Sequence, residues 1–246
     1  MRVERPRKRF SGLRPRSIEP EWLDELPSGD PRAIRSRRDL QRVNGWMAHV
    51  RIIERLLETH CAAPPRSILD LGGGDGTLLL KLARRLSRRW PEVTVTVLDR
   101  QDVMEEGNGA EFRSLGWEFF RVTADALDYV GDIDSDHANV AIANLFLHHL
   151  HARQLERLFA RLSEVATVFI ACEPRRSALA LAGSRLLWTI GCNDVSRHDA
   201  VVSVRAGFSG KELSVLWPDR RDWHLDERRA GPFTHSFVAW RARSLE

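Results

Sequence analysis

The chain has 246 residues, 43% of them hydrophobic, which suffices for one α/β core and requires no second catalytic domain. Its formal net charge of +4 is local: residues 1 to 20 hold Arg2, Arg5, Arg7, Lys8, Arg9, Arg14 and Arg16 against Glu4 and Glu19, so the remainder is near neutral and nucleic acid is not the expected partner. Cys61, Cys172 and Cys192 are odd in number and far apart, and no apolar stretch reaches membrane-spanning length or forms a signal region, so reduced thiols, no metal site and a cytoplasmic location are expected.

Residues 1 to 16 read as a basic, disordered tail. A helical cap is expected over residues 17 to 62. Glu19-Pro20-Glu21-Trp22-Leu23 and Asp30-Pro31 look like helix starts, with Asp30 as N-cap and Pro31 at the first helical position. Val43, Met47, Val50, Ile53 and Leu57 then follow at helical spacing, with an expected break at Asn44-Gly45, so two short helices fit before the first strand. Trp46 is either core or part of an acceptor pocket.

The most informative stretch is Ile68-Leu69-Asp70-Leu71-Gly72-Gly73-Gly74-Asp75-Gly76-Thr77. An apolar run ends in a glycine turn, and Leu78, Leu79, Leu80, Leu82, Ala83 and Leu86 follow on a helical period: strand, tight turn, helix. Gly72, Gly74 and Gly76 give G-x-G-x-G, whereas the dinucleotide fingerprint is G-x-G-x-x-G, whose last glycine would fall at Thr77. A diphosphate also needs a bare positive helix end, and Asp75 places a carboxylate there. Asp70 and Asp75 suit a cationic, phosphate-free nucleoside. Val93-Thr94-Val95-Thr96-Val97-Leu98 reads as the next strand, with Asp99 at its end able to accept both hydroxyls of a ribose.

These residues resemble the class I S-adenosylmethionine (SAM)-dependent methyltransferases, from about Pro65 to the C-terminus and most strongly from Ile68 to Thr77. The resemblance implies a Rossmann-like α/β fold: a seven-stranded, mostly parallel sheet closed by an antiparallel C-terminal hairpin, occupying residues 63 to 246 behind the helical cap. It implies SAM as cofactor and S-adenosylhomocysteine as product. Asp70 with Gly72, Gly73, Gly74, Asp75 and Gly76 would hold the methionyl part. Asp99, with Arg100 beside it, would take the ribose, and Asp125-Ala126 would meet adenine. Asn144 and Leu145 would lie beside the cofactor. The phrase Asp39-Leu40-Gln41-Arg42-Val43-Asn44-Gly45-Trp46 is similar to the same region of bacterial methyltransferases of secondary metabolism that act on polyketide-type aromatic products.

A fourth strand, Ala138-Asn139-Val140-Ala141-Ile142-Ala143, leads into Asn144-Leu145-Phe146-Leu147-His148-His149-Leu150. In a parallel α/β sheet the carboxyl ends of the strands border the ligand crevice, so this loop should face the transferred methyl. The family resemblance relates Leu-His-His-Leu to small-molecule C- and O-methyltransferases and differs from the Asn/Asp-Pro-Pro-aromatic signature of nucleic-acid amino-methylation. A neutral imidazole, with an unperturbed pKa of about 6.5, suits proton removal from a hydroxyl or an acidic carbon. His148 or His149 is that candidate base, helix capping being the competing role.

A fifth strand ends at Glu173-Pro174, and an insert over about residues 175 to 208 should wall the acceptor site. It reads as an apolar helix from Ser177 to Cys192 followed by a polar loop, Asn193-Asp194-Val195-Ser196-Arg197-His198-Asp199, with His198 and Arg205 as candidate acceptor contacts. Ser209 is the expected cap of a further helix, and strands should begin at Trp223 and Phe233. The expected activity is SAM-dependent methyl transfer to a small, aromatic or apolar acceptor, with O- favoured over C-methylation. An RNA methyltransferase guided by the tail and an NAD-linked oxidoreductase are the alternatives. The acceptor's identity and the oligomeric state stay open.

Overall fold

A computed structural model describes residues 15–27, 29–103, 107–133, 138–218 and 221–241. Most of the basic tail lies outside the described residues, but Arg16 is docked on the body. Its Nε donates to Ala206 O at 2.7 Å, one terminal nitrogen donates to His148 O and Leu150 O, and the guanidinium lies 4.2 Å from the ring centroid of Phe208.

The chain alternates strand and helix: β1 (Ser67–Leu71), α4 (Thr77–Leu86), β2 (Thr94–Asp99), α5 (Gly107–Ser114), β3 (Glu118–Thr123), α6 (Ala126–Asp132), β4 (Ala138–Asn144), α7 (Ala152–Val165) and β5 (Ala166–Pro174). Before β1 come α1 (Trp22–Glu25), α2 (Pro31–Trp46) and α3 (His49–His60); after β5 come α8 (Ala178–Arg185), α9 (Asp194–Ala206), α10 (Glu212–Leu216), β6 (Trp223–Arg229) and β7 (Thr234–Arg241). The seven strands lie in the order β3-β2-β1-β4-β5-β7-β6, with β1 to β5 parallel and β7 antiparallel to both β5 and β6. This is the Rossmann-like α/β sheet with a closing antiparallel hairpin. The order reverses between β1 and β4, which opens a crevice at their carboxyl ends.

Burial on both faces explains why β4 and β5 read as nearly unbroken apolar runs. One face packs Ile53, Leu57, Leu79, Leu82, Phe112 and Trp117 from the α3, α4 and α5 side; the other packs Phe159, Phe169, Phe208, Trp217 and Phe237. Among the described residues no helix is long and apolar enough to cross a membrane.

Several local expectations change. The break expected at Asn44-Gly45 falls later, because α2 runs through Gly45 and Met47 N still reaches Val43 O at 3.0 Å; the chain turns at Ala48, whose φ is 56°. The two helices expected over this segment are α2 and α3, and the short α1 lies at the earlier helix start. The insert's apolar helix stops at Arg185 and gives way to a 3-10 turn over Leu187–Ile190. The stretch expected as a polar loop is the start of α9: Asn193 Oδ1 accepts Ser196 N at 2.8 Å, so the Asn is a cap and not a loop residue. Ser209 does not cap α10, since its hydroxyl accepts from Arg176 and its N–H donates to Glu212.

The cap and the insert are tied together by a buried carboxylate. Asp39, on α2, accepts Asn193 N at 2.9 Å, Ser196 Oγ at 3.1 Å and the Arg42 guanidinium. Asp39→Ala leaves those donors without their acceptor, and we expect a loss of about 2 kcal/mol in urea unfolding, the usual cost of stranding buried polar groups.

Candidate active site

A cavity of about 1460 Å³ opens at the carboxyl ends of the parallel strands, floored by the β1 turn and roofed by α1, α2 and the α8–α9 insert. Its two halves differ in chemistry.

In the first half, Gly72, Gly74 and Gly76 have φ of 67°, 56° and 72°, a backbone that side chains resist. Any Cβ on Gly72 would lie 2.5 Å from the Phe146 ring, and one on Gly73 would lie 2.8 Å from Asp70 Oδ2. Asp99 lies on the wall at the end of β2, where its oxygens accept Gly74 N and Gln101 N, each at 2.9 Å. A carboxylate oxygen has lone pairs to spare after one such bond, so Asp99 remains able to accept a diol. Arg100 and Asp125 stand 3.9 Å apart beside it, and Asp125 caps α6 by accepting Leu127 N, with Ala126 on the wall.

Asp70 lies in β1, just before the glycine turn. It is buried beneath Gly73 and absent from the wall. Neither carboxylate oxygen has a hydrogen-bond partner among the described residues. Burial, reinforced by the Asp99 and Asp75 charges, pushes its pKa up to about 7. Asp75 is occupied: Oδ1 accepts Thr77 N and Oδ2 accepts Gln41 Nε2 at 2.5 Å, which fastens α2 over the glycine turn. Asn144, at the end of β4, is hydrogen-bonded to the buried His49, and Leu145 beyond it holds a left-handed φ of 55°, a strained backbone facing the cavity. A cradle that side chains would fill, bordered by the Asp99 carboxylate and backed by that of Asp70, suits a cationic nucleoside.

The second half centres on the paired histidines. Glu173, fully buried at the end of β5, accepts the N–H groups of Phe146, Leu147 and His148 and lies 2.8 Å from His148 Nδ1. On its other side His148 Nε2 stands 3.4 Å from Glu21 Oε1. Burial opposes a charge on His148, but the bonds and charges of Glu173 and Glu21 outweigh it and push its pKa up to about 9. His149 is half-buried on the wall, its ring 4.2 Å from that of His148, with Nδ1 3.7 Å from Asp24 Oδ2. Burial and the neighbouring His148 push the His149 pKa down to about 4. The two rings therefore differ: with no ion bound, one is held between two carboxylates that favour its charged form, and the other is open to the cavity in its neutral form.

Trp46 lines the cavity with 69% of its surface exposed, so it is a rim residue and not core. His198 and Arg205 are not brought to the cavity. Ala200, Ser203 and Val204 carry the α9 face that lines it, while His198 stacks on Trp22 at 3.9 Å and Arg205 is exposed at the helix end. Sequence reading gave no role to Glu21, Asp24, His49 or Phe146 and marked Glu173 only as the end of a strand. Glu21 and Asp24 follow Pro20 in what reads as an ordinary acidic helix start, and only tertiary folding carries them to the histidines.

A family model described as a methyltransferase domain matches residues 68–167. No curated protein matches the chain in sequence. Among solved structures, the plantazolicin methyltransferase BpumL in complex with SAH is similar over 87% of this chain and 92% of its own, at 12% identity and a TM-score of 0.62. An O-methyltransferase family protein from Burkholderia thailandensis is similar over 87% of this chain and 61% of its own, at 20% identity and a TM-score of 0.57. The mitomycin 7-O-methyltransferase MmcR is similar over 89% of this chain and 60% of its own, at 17% identity and a TM-score of 0.54. At these identities the likeness to the three structures is one of fold.

Proposed function

We propose that this chain, a class I SAM-dependent methyltransferase, methylates a hydroxyl on a small, largely apolar acceptor. The observation that carries the reading is one cavity that holds both a glycine cradle with Asp99 and Asn144 beside it, and apolar lining with a polar corner at His149. The glycine turn, Asp99 and Asn144 would hold the cofactor, with Asp125 and Ala126 at the adenine end. When bound, SAM supplies a methyl whose bond to sulfur breaks as the bond to the acceptor forms.

The chain's own residues then have three tasks: to align the acceptor, to exclude water and to take the proton. Trp46, Leu187, Ile190 and Phe233 line the acceptor chamber, whose apolar character favours an aromatic or otherwise apolar body. With no ion bound, His148 is held on both ring nitrogens, so it positions the loop and is not the base that meets the acceptor. His149 is the imidazole open to the chamber, where it would accept a hydrogen bond from the acceptor hydroxyl; with its pKa lowered to about 4 it takes the proton only as negative charge develops beside it. The names of two neighbours, both O-methyltransferases, support O- over C-methylation.

The test is incubation with methyl-labelled SAM and separate small-molecule and RNA fractions from the native organism. Label in an apolar small-molecule fraction is expected. Label confined to RNA would overturn the choice of acceptor.

Asp70 adds a pH prediction. Its raised pKa means that its contribution to the stability of the free chain is present below about pH 4 and is lost as pH rises through about 7. A cation above the glycine turn favours the ionised form, so binding SAM lowers the Asp70 pKa and releases a proton. Affinity for SAM should therefore rise as pH approaches about 7 from below and then level off. Calorimetry in buffers of different ionisation enthalpy checks this: proton release near pH 6 is expected for the native chain, and its persistence in Asp70→Asn would assign it elsewhere.

A further inference from the structure

We propose that Glu21, His148 and His149 form a divalent-cation site that binds the acceptor's oxygen. The inference rests on the methyltransferase reading and deepens it. One ligand atom from each residue lies within 4.8 Å of the other two. The separation of His148 Nε2 from Glu21 Oε1 is 3.4 Å, a long hydrogen bond in the metal-free chain. It is close to the edge of a tetrahedron: ligand bonds of about 2.0–2.2 Å place neighbouring ligand atoms roughly 3.3–3.5 Å apart.

The surroundings are those of a supported metal ligand. His148 turns its other nitrogen, Nδ1, to Glu173 at 2.8 Å, and Glu173 is itself held by backbone N–H groups of the same loop. A carboxylate bound to the far nitrogen fixes the tautomer and aims Nε2 at the ion, which displaces to water the proton that Nε2 carries in the metal-free chain. Glu21 is held in turn by the Ser203 hydroxyl, and the His149 ring has Asp24 beside it. Two imidazoles and one carboxylate suit a borderline ion such as Zn²⁺ better than Mg²⁺, which prefers oxygen.

Three protein ligands leave a coordination position open, and Glu21, His148 and His149 all border the cavity. An acceptor hydroxyl there would ionise on the cation, its proton passing to water in the cavity, and the resulting oxygen would take the methyl. His149 then acts as a ligand, and the metal-free chain keeps only the slower route through its imidazole. The spacing was invisible in the sequence because Glu21 lies so far from the His-His pair.

The experiment is titration of the EDTA-stripped full chain with Zn²⁺ alone and with Mg²⁺ alone. We expect one Zn²⁺ per chain at micromolar concentration or tighter, and no Mg²⁺ binding in that range. His149→Ala and Glu21→Gln should each weaken Zn²⁺ binding tenfold or more, with folding checked by thermal melting. His224→Ala, an exposed imidazole on β6, should leave it unchanged. Absence of stoichiometric Zn²⁺ binding, or equal binding in the His149 and Glu21 variants, overturns the site. If the stripped chain still binds SAM and transfers methyl at full rate, the metal site is refuted and the methyltransferase reading stands; if it binds no SAM, that reading itself fails.

Discussion

Replacing Asp99 with alanine should lower affinity for SAM about a hundredfold and leave the melting temperature of the free chain within a few degrees. The reasoning is local. Asp99 is the acid at the end of β2 on the cavity wall, and its oxygens already order the glycine turn through Gly74 N and the following loop through Gln101 N. A ribose diol meeting the same carboxylate would form two hydrogen bonds to a charged acceptor, worth about 1.5–3 kcal/mol each, and even the lower figure for both gives roughly a hundredfold. The two backbone N–H groups would turn to water, which is why the fold is expected to survive. Isothermal titration of the variant with SAM measures the effect. An affinity within threefold of the native value would mean that Asp99 does not meet the ribose.

Replacing His149 with alanine should cut turnover by at least about a hundredfold, the usual share of a group that handles the proton, with little change in SAM affinity. His148→Ala should behave differently. That ring is buried between Glu173 and Glu21, and removing it leaves two carboxylates facing each other without their cation. Breaking a buried pair in this way costs about 3–5 kcal/mol, so its first effect should be on urea unfolding. The contrast is the useful readout: turnover without stability for one histidine, stability for its neighbour. Full turnover in His149→Ala would remove that residue from the chemistry.

The first half of the site was legible in sequence because its logic is local. A strand, a glycine turn and a helix are written in consecutive residues, and the φ angles that Gly72, Gly74 and Gly76 adopt are ones that glycine tolerates best. The mostly parallel sheet and the antiparallel hairpin were also within reach, since strand periodicity and the resemblance agree. Asp70 shows the limit: its letter and position are as expected, yet strand geometry turns it under the glycines and away from the wall.

The acceptor half was less legible because it is assembled from distant segments. His148 and His149 are adjacent letters with equal claims until Glu173 and Glu21 separate them. Glu21 arrives from the N-terminal helices, anchored where Asp199 accepts Trp22 N and Leu23 N. That same Asp199, read as part of a polar loop, belongs to a helix whose Asn193 cap was masked by the polar composition around it. Arg16, counted with a tail by its charge, is held by three backbone carbonyls that no local pattern could reveal.

The central claim is that the glycine turn and Asp99 hold a cationic, phosphate-free adenosyl donor. Calorimetric titration of the native chain with SAM, S-adenosylhomocysteine and NAD is its most direct test. The account predicts one SAM and one S-adenosylhomocysteine per chain and no NAD binding; NAD bound with SAM refused would contradict it.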